Sequence, residues 1–557
     1  MRSTSWPCIS RWTSTHRASI LHQLSFFRSQ TYRRGIGLSE DVSSKKKSLR
    51  LLASSGLVSF WTFISRILGL ARDIVITGLL GAGVALDTFV VIMKIPSVFR
   101  RLFAEGAFNQ AFVPVLTEYK EKEKASVESL INNTFGALSL VLLLVTTLAL
   151  LFAPIFVMLF APGFYAEPLK KELAIDILQI TFPYLFFVSL VAFSGSILNS
   201  YQKFSLPALT PLFYNLSLIV AALWFAPQLE VPIYAIAWGV FAAGIIQVLI
   251  QIPALTAMGL LPRFKLNTQH PGVRKVLFLM IPGIIAGGVS QINMLIDTIL
   301  ASLLPTGSPS WLYVSDRLMQ LPLGIFAIAI GTVILPRLSS LFVTENKLAF
   351  SNTLDWSIRL ILLIGVPAVI GLTMLAEPII LILFERGAFS ANDSLQASYS
   401  LIALSFGLVA FMMIKILTPS FFARQEPKKP MYVALASMIL NALLAWFLGF
   451  NLGYGHIGLA LASSISAFFT VITLLLMLYS RNIYQPSNGW FLFWIRLSFA
   501  SFFLSVFIYY FGQDAASLRA LTDFGKIFYI LKIVILSIGL YLLALRLTGL
   551  KIKDFLN

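Results

Sequence analysis

The sequence is short of charged residues: they make up 12% of its 557 residues, whereas soluble domains contain about 25%. Hydrophobic residues make up 58%, and the mean hydropathy is +0.85. Apolar runs of about 20 residues, long enough to cross a bilayer, recur from Leu51 to the C-terminus. They lack the two-residue alternation of a membrane β-barrel. The composition therefore predicts an all-α integral membrane protein and argues against a soluble enzyme.

Residues that carry covalent or metal chemistry are scarce as well. The single cysteine, Cys8, excludes a disulfide framework, and the four histidines are scattered without the spacing of metal ligands. No GxxxxGK sequence occurs, which argues against an ATPase. We expect no metal site and no cofactor.

The N-terminal segment lacks two further features. Residues 1–39 contain no Asp or Glu and no continuous apolar stretch, which excludes an ordinary secretory signal. Their richness in Ser, Thr and Arg fits an organellar transit peptide, but it also fits a disordered extension or a start codon placed too early. We expect residues 1–47 to be a disordered basic extension.

About 14 transmembrane helices are predicted from the length of the apolar runs and the residues that interrupt them. The predicted spans are 50–80, 85–117, 130–160, 172–200, 206–226, 231–258, 272–303, 311–341, 353–384, 394–424, 430–450, 456–480, 489–512 and 526–549. If the first span starts in the cytoplasm, most Lys and Arg of the connectors lie on the cytoplasmic side. This bias accounts for the net charge of +18 without nucleic acid and predicts that both termini are cytoplasmic.

Two short motifs recur six spans apart. Residues 154–164 (PIFVMLFAPGF) resemble 378–389 (PIILILFERGAF), and the sequence LVAF occurs at both 190–193 and 408–411. The shared order favours two parallel, pseudo-symmetric six-helix lobes around a central cavity. The predicted divisions are an N-lobe at 48–264, a C-lobe at 265–484, and two extra helices with a C-terminal tail at 485–557.

Charged residues inside apolar spans are the main functional signal, because each costs about 2.5–3.5 kcal/mol at the centre of a membrane helix. They concentrate in the first, second and eighth spans: Arg66, Arg72, Asp73, Asp87, Lys94, Arg100, Arg101, Glu105, Asp316 and Arg317. Asp87, Lys94 and Arg101 are spaced by seven, which predicts one polar helix face that Pro96 interrupts.

Several arginines in one cavity would suit a diphosphate, because guanidinium groups bind phosphate bidentately and stay charged. Two alternatives remain at this stage: Arg72 and Asp73 could be an ion pair that only packs helices, and Arg100 and Arg101 could flank a shorter helix at the surface. Lys94 and Lys415 are secondary basic candidates in the cavity. Asp297, alone on an apolar helix, is a candidate site for a coupling cation or proton.

A long motif in the first two spans carries a family resemblance. It consists of SRILGLARD at 65–73, GAG at 81–83, Asp87, KIP at 94–96, RRLFAEGAF at 100–108 and FVP at 112–114. Together with APGF at 161–164, TFPY at 181–184 and DRLM at 316–319, it resembles the MurJ (MviN) family of lipid II flippases.

This resemblance implies a 14-helix member of the multidrug/oligosaccharidyl-lipid/polysaccharide exporter superfamily. Such a protein flips undecaprenyl-diphosphate-linked peptidoglycan precursor to the outer leaflet by alternating access. The implied head-group ligands are Arg66, Arg72, Arg100, Arg101 and Arg317, with acidic partners at Asp73, Asp87, Glu105 and Asp316. The implied partners are lipid II, membrane lipids and the cell-wall synthesis machinery. The implied location is the bacterial inner membrane, or a plastid inner envelope if the N-terminal extension is a transit peptide.

Two rival functions follow from the residues. A transporter of the same superfamily could carry another polyprenyl-linked glycan or a drug, although a cationic drug would prefer an acidic cavity. A membrane glycosyltransferase would need catalytic carboxylates in a sizeable outer loop, whereas the predicted outward connectors are short and their carboxylates dispersed.

Overall fold

The protein is described by a computed structural model covering residues 56–101, 107–267, 269–512 and 514–549. In this part of the chain every regular element is helical. Residues 56–64 are helical and belong to a separate compact unit from the rest. The predicted extension at 1–47 lies outside the described residues.

The helices of the main unit are α1 (65–80), α2 (Val84–Arg100), α3 (Ala107–Lys122), α4 (Val127–Leu151), α5 (Ala153–Phe160), α6 (Pro162–Ala166), α7 (Pro168–Thr181), α8 (Tyr184–Ser200), α9 (Ser205–Val220), α10 (Ile233–Ala257), α11 (Pro271–Ser302), α12 (Ser308–Pro322), α13 (Ile328–Val343), α14 (Lys347–Met374), α15 (Ala376–Phe384), α16 (Ala391–Phe406), α17 (Leu408–Ala423), α18 (Lys428–Trp446), α19 (Gly455–Ser480), α20 (Trp490–Phe511), α21 (Ala515–Arg519) and α22 (Asp523–Leu547).

The apolar helices confirm a multi-span membrane protein. Among the described residues, ten helices are long and apolar enough to cross a bilayer, or eleven if α16 and α17 form one span bent by 40° at Gly407. All eleven coincide with predicted spans. The predicted seventh span is also helical over its whole length, as α11. The total of 14 stays a prediction.

The predicted second span, 85–117, is described in two parts. α2 ends at Arg100 and α3 begins at Ala107, with residues 102–106 outside the described part of the chain. Beyond the arginine pair, α3 packs against α8 and α11. That residues 85–117 form one span stays a prediction.

The two copies of the repeated motif begin in the same way. The first copy lies in α5 and α6, and the second begins in α15. Each follows a long helix that ends at a residue of nearly the same conformation: Phe152 with φ −106° and ψ 25°, and Leu375 with φ −105° and ψ 17°. Both residues donate their N–H to the carbonyl four positions earlier, at 2.9 Å. This agreement supports the proposed duplication.

The turn after α1 contacts the connector between α15 and α16. Ala388 donates its backbone N–H to Gly78 O at 2.8 Å. Gly81 has φ +64°, and a Cβ built on it would lie 2.5 Å from Ala388 O. Glycine is therefore required here for conformation and close packing, and these contacts link helices from the first and second parts of the chain.

Candidate functional site

Asp73 lies at the centre of a buried ion group between α1 and α12. Arg72 Nη2 lies 2.6 Å from Asp73 Oδ1, and Arg317 Nε lies 2.7 Å from Asp73 Oδ2. Tyr313 donates its hydroxyl to Asp73 Oδ1 at 2.7 Å. The carboxylate is 1% exposed and holds both guanidinium groups against itself. The group keeps one net positive charge, which an anion can neutralise.

Asn215 of α9 fixes the orientation of Arg72 from another side. Arg72 Nη1 donates to Asn215 Oδ1 at 3.0 Å, and Asn215 Nδ2 donates to the carbonyl of Ser65 at 2.9 Å. The Arg72 guanidinium carbon also lies 5.5 Å from the centre of the Tyr214 ring. Side chains from α1, α9 and α12 thus hold this guanidinium in place.

A cavity of about 580 Å³ opens beside this ion group. This volume lies within the range of small-molecule sites, roughly 300–1,000 Å³. Its described lining contains five cationic side chains and no carboxylate: Arg72, Lys94, Arg100, Arg101 and Arg317. The uncharged polar part of the lining includes Asn109, Ser196, Asn199, Thr210, Gln247 and Gln251. The structure thus brings four of the five predicted arginines and Lys94 to one chamber.

Asp87 does not line this cavity, in contrast to the predicted polar stripe on α2. Its carboxylate is fully buried and accepts the backbone N–H of Gly307 at 2.6 Å and that of Ser310 at 3.0 Å. The Ser310 hydroxyl donates to it as well. A carboxylate at the first turn of a helix satisfies free N–H groups and the helix dipole. Asp87 therefore joins α2 to the start of α12.

Lys94 lines the cavity and also interacts with two carboxylates of later helices. It interacts electrostatically with Asp297 of α11 and with Asp316 of α12. Asp297 accepts hydrogen bonds from Asn441 Nδ2 at 2.7 Å and from Asn293 Nδ2 at 3.3 Å. The two carboxylates are not part of the described cavity lining.

Two predicted cations are not brought to this chamber. Arg66 is exposed, and its guanidinium packs against Gly324 in the segment between α12 and α13. Lys415 is exposed on α17 and does not belong to the described lining of the cavity. Glu105 lies outside the described residues.

The residue-level predictions missed the neutral partners of the charged groups. Tyr313, Asn215 and Asn441 each hydrogen-bond a predicted ionic residue. Their signal in the sequence was a single amide or phenol within a predicted span. Such residues are common at helix contacts, so composition alone did not separate them from packing residues.

Comparison with known proteins agrees with this geometry. The model of the family described as lipid II flippase MurJ matches residues 76–533. A probable lipid II flippase MurJ of Vibrio cholerae is 42% identical over 526 residues, covering 91% of this chain and 98% of the relative. The lipid II flippase MurJ of Burkholderia cenocepacia is 37% identical over 453 residues, with 80% and 87% covered.

Solved structures give the same result. A lipid II flippase MurJ in an inward closed conformation aligns with a TM-score of 0.75 at 29% identity, covering 90% of this chain and all of that one. An inward-facing MATE multidrug transporter aligns with a TM-score of 0.62 at 14% identity, covering 75% and 94%, which shows a shared fold only. From its sequence match, its relatives and its fold, this chain belongs to the MurJ family of lipid II flippases.

Proposed function

We propose that this protein is a lipid II flippase, which moves undecaprenyl-diphosphate-linked peptidoglycan precursor to the outer leaflet for cell-wall synthesis. The observation that carries the proposal is the cavity lined by four arginines and Lys94, without a carboxylate in its described lining. Such a chamber attracts a doubly charged diphosphate and repels a cationic drug.

The diphosphate would bind beside the ion group in which Arg72 and Arg317 both contact the Asp73 carboxylate. Guanidinium groups already oriented by Asp73, Tyr313 and Asn215 lose little side-chain freedom on binding. Asp73 binds only some of the N–H groups of each guanidinium. The side chain of Arg317 is 35% exposed, so its remaining N–H groups can face the chamber. Lys94, Arg100 and Arg101 extend the positive surface along α2.

Transport needs no covalent step. A diphosphate with sugars cannot cross hydrocarbon unaided, but its apolar tail can stay in the bilayer while the cavity carries the head group. Access would alternate between the two sides as the predicted lobes, 48–264 and 265–484, move against each other. The predicted helices at 485–557 would accompany the second lobe.

Three further elements belong to the proposal. The location is the bacterial inner membrane with both termini cytoplasmic, which the excess of Lys and Arg in alternate connectors supports. Asp297 is the candidate for a coupling cation or proton, and its electrostatic interaction with Lys94 would transmit its charge state to the cavity. Delivery of the precursor would bring the protein close to the cell-wall synthesis machinery.

The test is complementation of cells depleted of their own flippase, combined with an assay for precursor on the outer leaflet. Arg317→Ala and Arg101→Ala should each lower the outer-leaflet signal at least tenfold, because each removes a charged contact with the diphosphate. The matched control is Arg263→Ala, an exposed arginine in the connector before α11, which should transport normally. If both cavity variants support cell-wall synthesis at normal rates while inserted in normal amounts, the proposal fails.

A further inference from the structure

The cavity lining has a charged part and a neutral part that come from different helices. The cations belong to α1, α2 and α12 or directly follow α2, whereas α8, α9 and α10 contribute uncharged amides and hydroxyls. A head group that consisted of diphosphate alone would need only the first part. The second part provides hydrogen-bonding groups for an uncharged portion of the same molecule.

Gln247 and Gln251 form the core of the neutral part. They lie one helical turn apart on α10 and are 3% and 1% exposed. Gln247 Nε2 donates to the carbonyl of Thr210 at 3.0 Å, and Gln251 Nε2 donates to Thr210 Oγ1 at 3.3 Å. Both amides are therefore anchored to the same residue of α9.

These contacts determine which atom of the Gln251 amide is left without a partner. The Thr210 hydroxyl donates its proton to the carbonyl of Leu206 at 3.0 Å, so Thr210 Oγ1 is an acceptor toward Gln251. An acceptor must face the NH₂ group, which leaves Oε1 as the free end of the Gln251 amide. The two ends of the amide are thus distinguished by the hydrogen-bond network.

Gln251 Oε1 is buried and has no hydrogen-bond donor among the described residues, although Gln251 lines the cavity. The corresponding oxygen of Gln247 has one, the Tyr184 hydroxyl at 3.4 Å. A buried carbonyl without a partner costs free energy, and such an atom in a binding chamber is positioned for a ligand donor.

We infer that Gln251 is a specificity residue that accepts a hydrogen bond from a hydroxyl or acetamido N–H of a sugar attached to the diphosphate. The inference rests on the proposed function and assigns a role to the neutral part of the same site. An uncharged oxygen suits an uncharged donor, whereas a carboxylate here would compete with the diphosphate for the arginines. The cations would then hold the diphosphate, and Gln251 would distinguish a glycan-bearing lipid from the bare one.

The test compares two ligands on purified full-length protein in lipid nanodiscs: lipid II and undecaprenyl diphosphate, which lacks the sugars. Gln251→Met keeps the side-chain length but removes the acceptor. It should weaken binding of lipid II about tenfold and leave binding of undecaprenyl diphosphate unchanged. The matched control is Gln228→Met, an exposed glutamine outside the cavity, which should bind both ligands as the unmodified protein does.

Unchanged binding of lipid II by Gln251→Met would overturn the inference and leave the proposed function intact. Failure of the unmodified protein to bind either ligand would instead overturn the proposed function. If Gln251→Met does not fold, Gln251→Leu decides, because it also removes the acceptor without adding a charge. Loss of the preference for lipid II by Gln251→Leu supports the inference, and its retention overturns it.

Discussion

Two buried carboxylates, Asp73 and Asp355, have similar arginine and tyrosine partners but different surroundings. Each meets an arginine Nε, at 2.7 Å from Arg317 and at 3.0 Å from Arg359. Each also accepts a tyrosine hydroxyl, at 2.7 Å from Tyr313 and at 2.8 Å from Tyr484. Exposure does not separate them, because Asp73 is 1% and Asp355 is 3% exposed.

The difference lies in the remaining hydrogen-bonding capacity. Asp355 also accepts the Ser487 hydroxyl and, at 2.7 Å, the indole N–H of Trp490. Arg359 Nη2 donates to Ser487 Oγ at 2.7 Å, and its guanidinium lies over the rings of Trp490 and Phe493. This network is closed by protein groups, whereas Arg72 and Arg317 line the cavity. A buried arginine therefore indicates a ligand site only when some of its guanidinium N–H groups face a cavity.

The closed network has a structural role instead. The Asp355 network joins α14 to the segment before α20. At the opposite end of the C-terminal helix pair, α20 and α22, Arg519 contacts α15 and the residue that follows it. Arg519 lies 2.7 Å from Glu385 and 3.7 Å from Glu377. Between these ends, Tyr541 of α22 donates to the carbonyl of Leu363 at 2.8 Å. The pair α20 and α22 is thus attached to α14 and α15 along its length.

The largest effect that separates the two groups is expected from Asp355→Asn. It leaves the half-buried Arg359 charge without its counterion, which costs about 3–5 kcal/mol of stability but leaves transport per folded molecule unchanged. Asp73→Asn should cost a comparable amount, because it leaves the buried guanidinium of Arg72 without its counterion, and it should also abolish transport. Thermal unfolding in detergent and flipping per folded molecule measure the two outcomes. Normal transport by folded Asp73→Asn, or loss of transport by folded Asp355→Asn, would contradict the distinction.

A smaller effect is expected from a matched pair, Tyr484→Phe and Tyr313→Phe, since each removes a hydroxyl donor to a buried aspartate. Tyr484→Phe should lower stability by about 1.5–3 kcal/mol, as expected for a bond to a charged group, and leave transport per folded molecule unchanged. Tyr313→Phe should cost less than about 1 kcal/mol, because cavity water can replace the hydroxyl. It should slow transport about fivefold, because Arg317 loses its fixed orientation. Parallel unfolding and flipping assays would reveal a reversed order, which would refute this account.

The sequence predicted the fold better than the site. Apolar length marks each span because lipid leaves a helix no other partner for its backbone, and the eleven apolar spans coincide with predicted ones. The bend at Gly407 and the break between α14 and α15 depend on packing between distant helices, which hydropathy does not contain. Such breaks could not be predicted from one sequence.

The site shows the same limit at single residues. Arg72 and Arg317 stood out because ions interrupt apolar runs, but Asp355 and Arg359 interrupt one too and serve packing. Asp87 gave the same signal, yet its partners Gly307 and Ser310 lie more than 200 residues away. Such long-range contacts decide whether a charged side chain lines a cavity or caps a helix. Gln251 gave no signal, because one amide in an apolar helix resembles any packing residue.

The smallest effect is expected at Glu426, in the connector between α17 and α18, which tests the comparison outside the membrane. Hydrogen bonds from Arg481 and then Lys429 lower the pKa of Glu426 from 4.5 to about 2. Because the folded pKa is depressed, its contribution is complete above about pH 4.5 and is lost as the pH falls toward 2. Water screens this pair, so Glu426→Gln should cost only about 0.2–1 kcal/mol at neutral pH. The difference in melting temperature between Glu426→Gln and the unmodified protein should shrink at low pH and in high salt. The corresponding difference for Asp355→Asn should change little with salt, because the Asp355 network is closed by protein groups. A Glu426→Gln deficit that persists at low pH would show that shape, not charge, holds this connector.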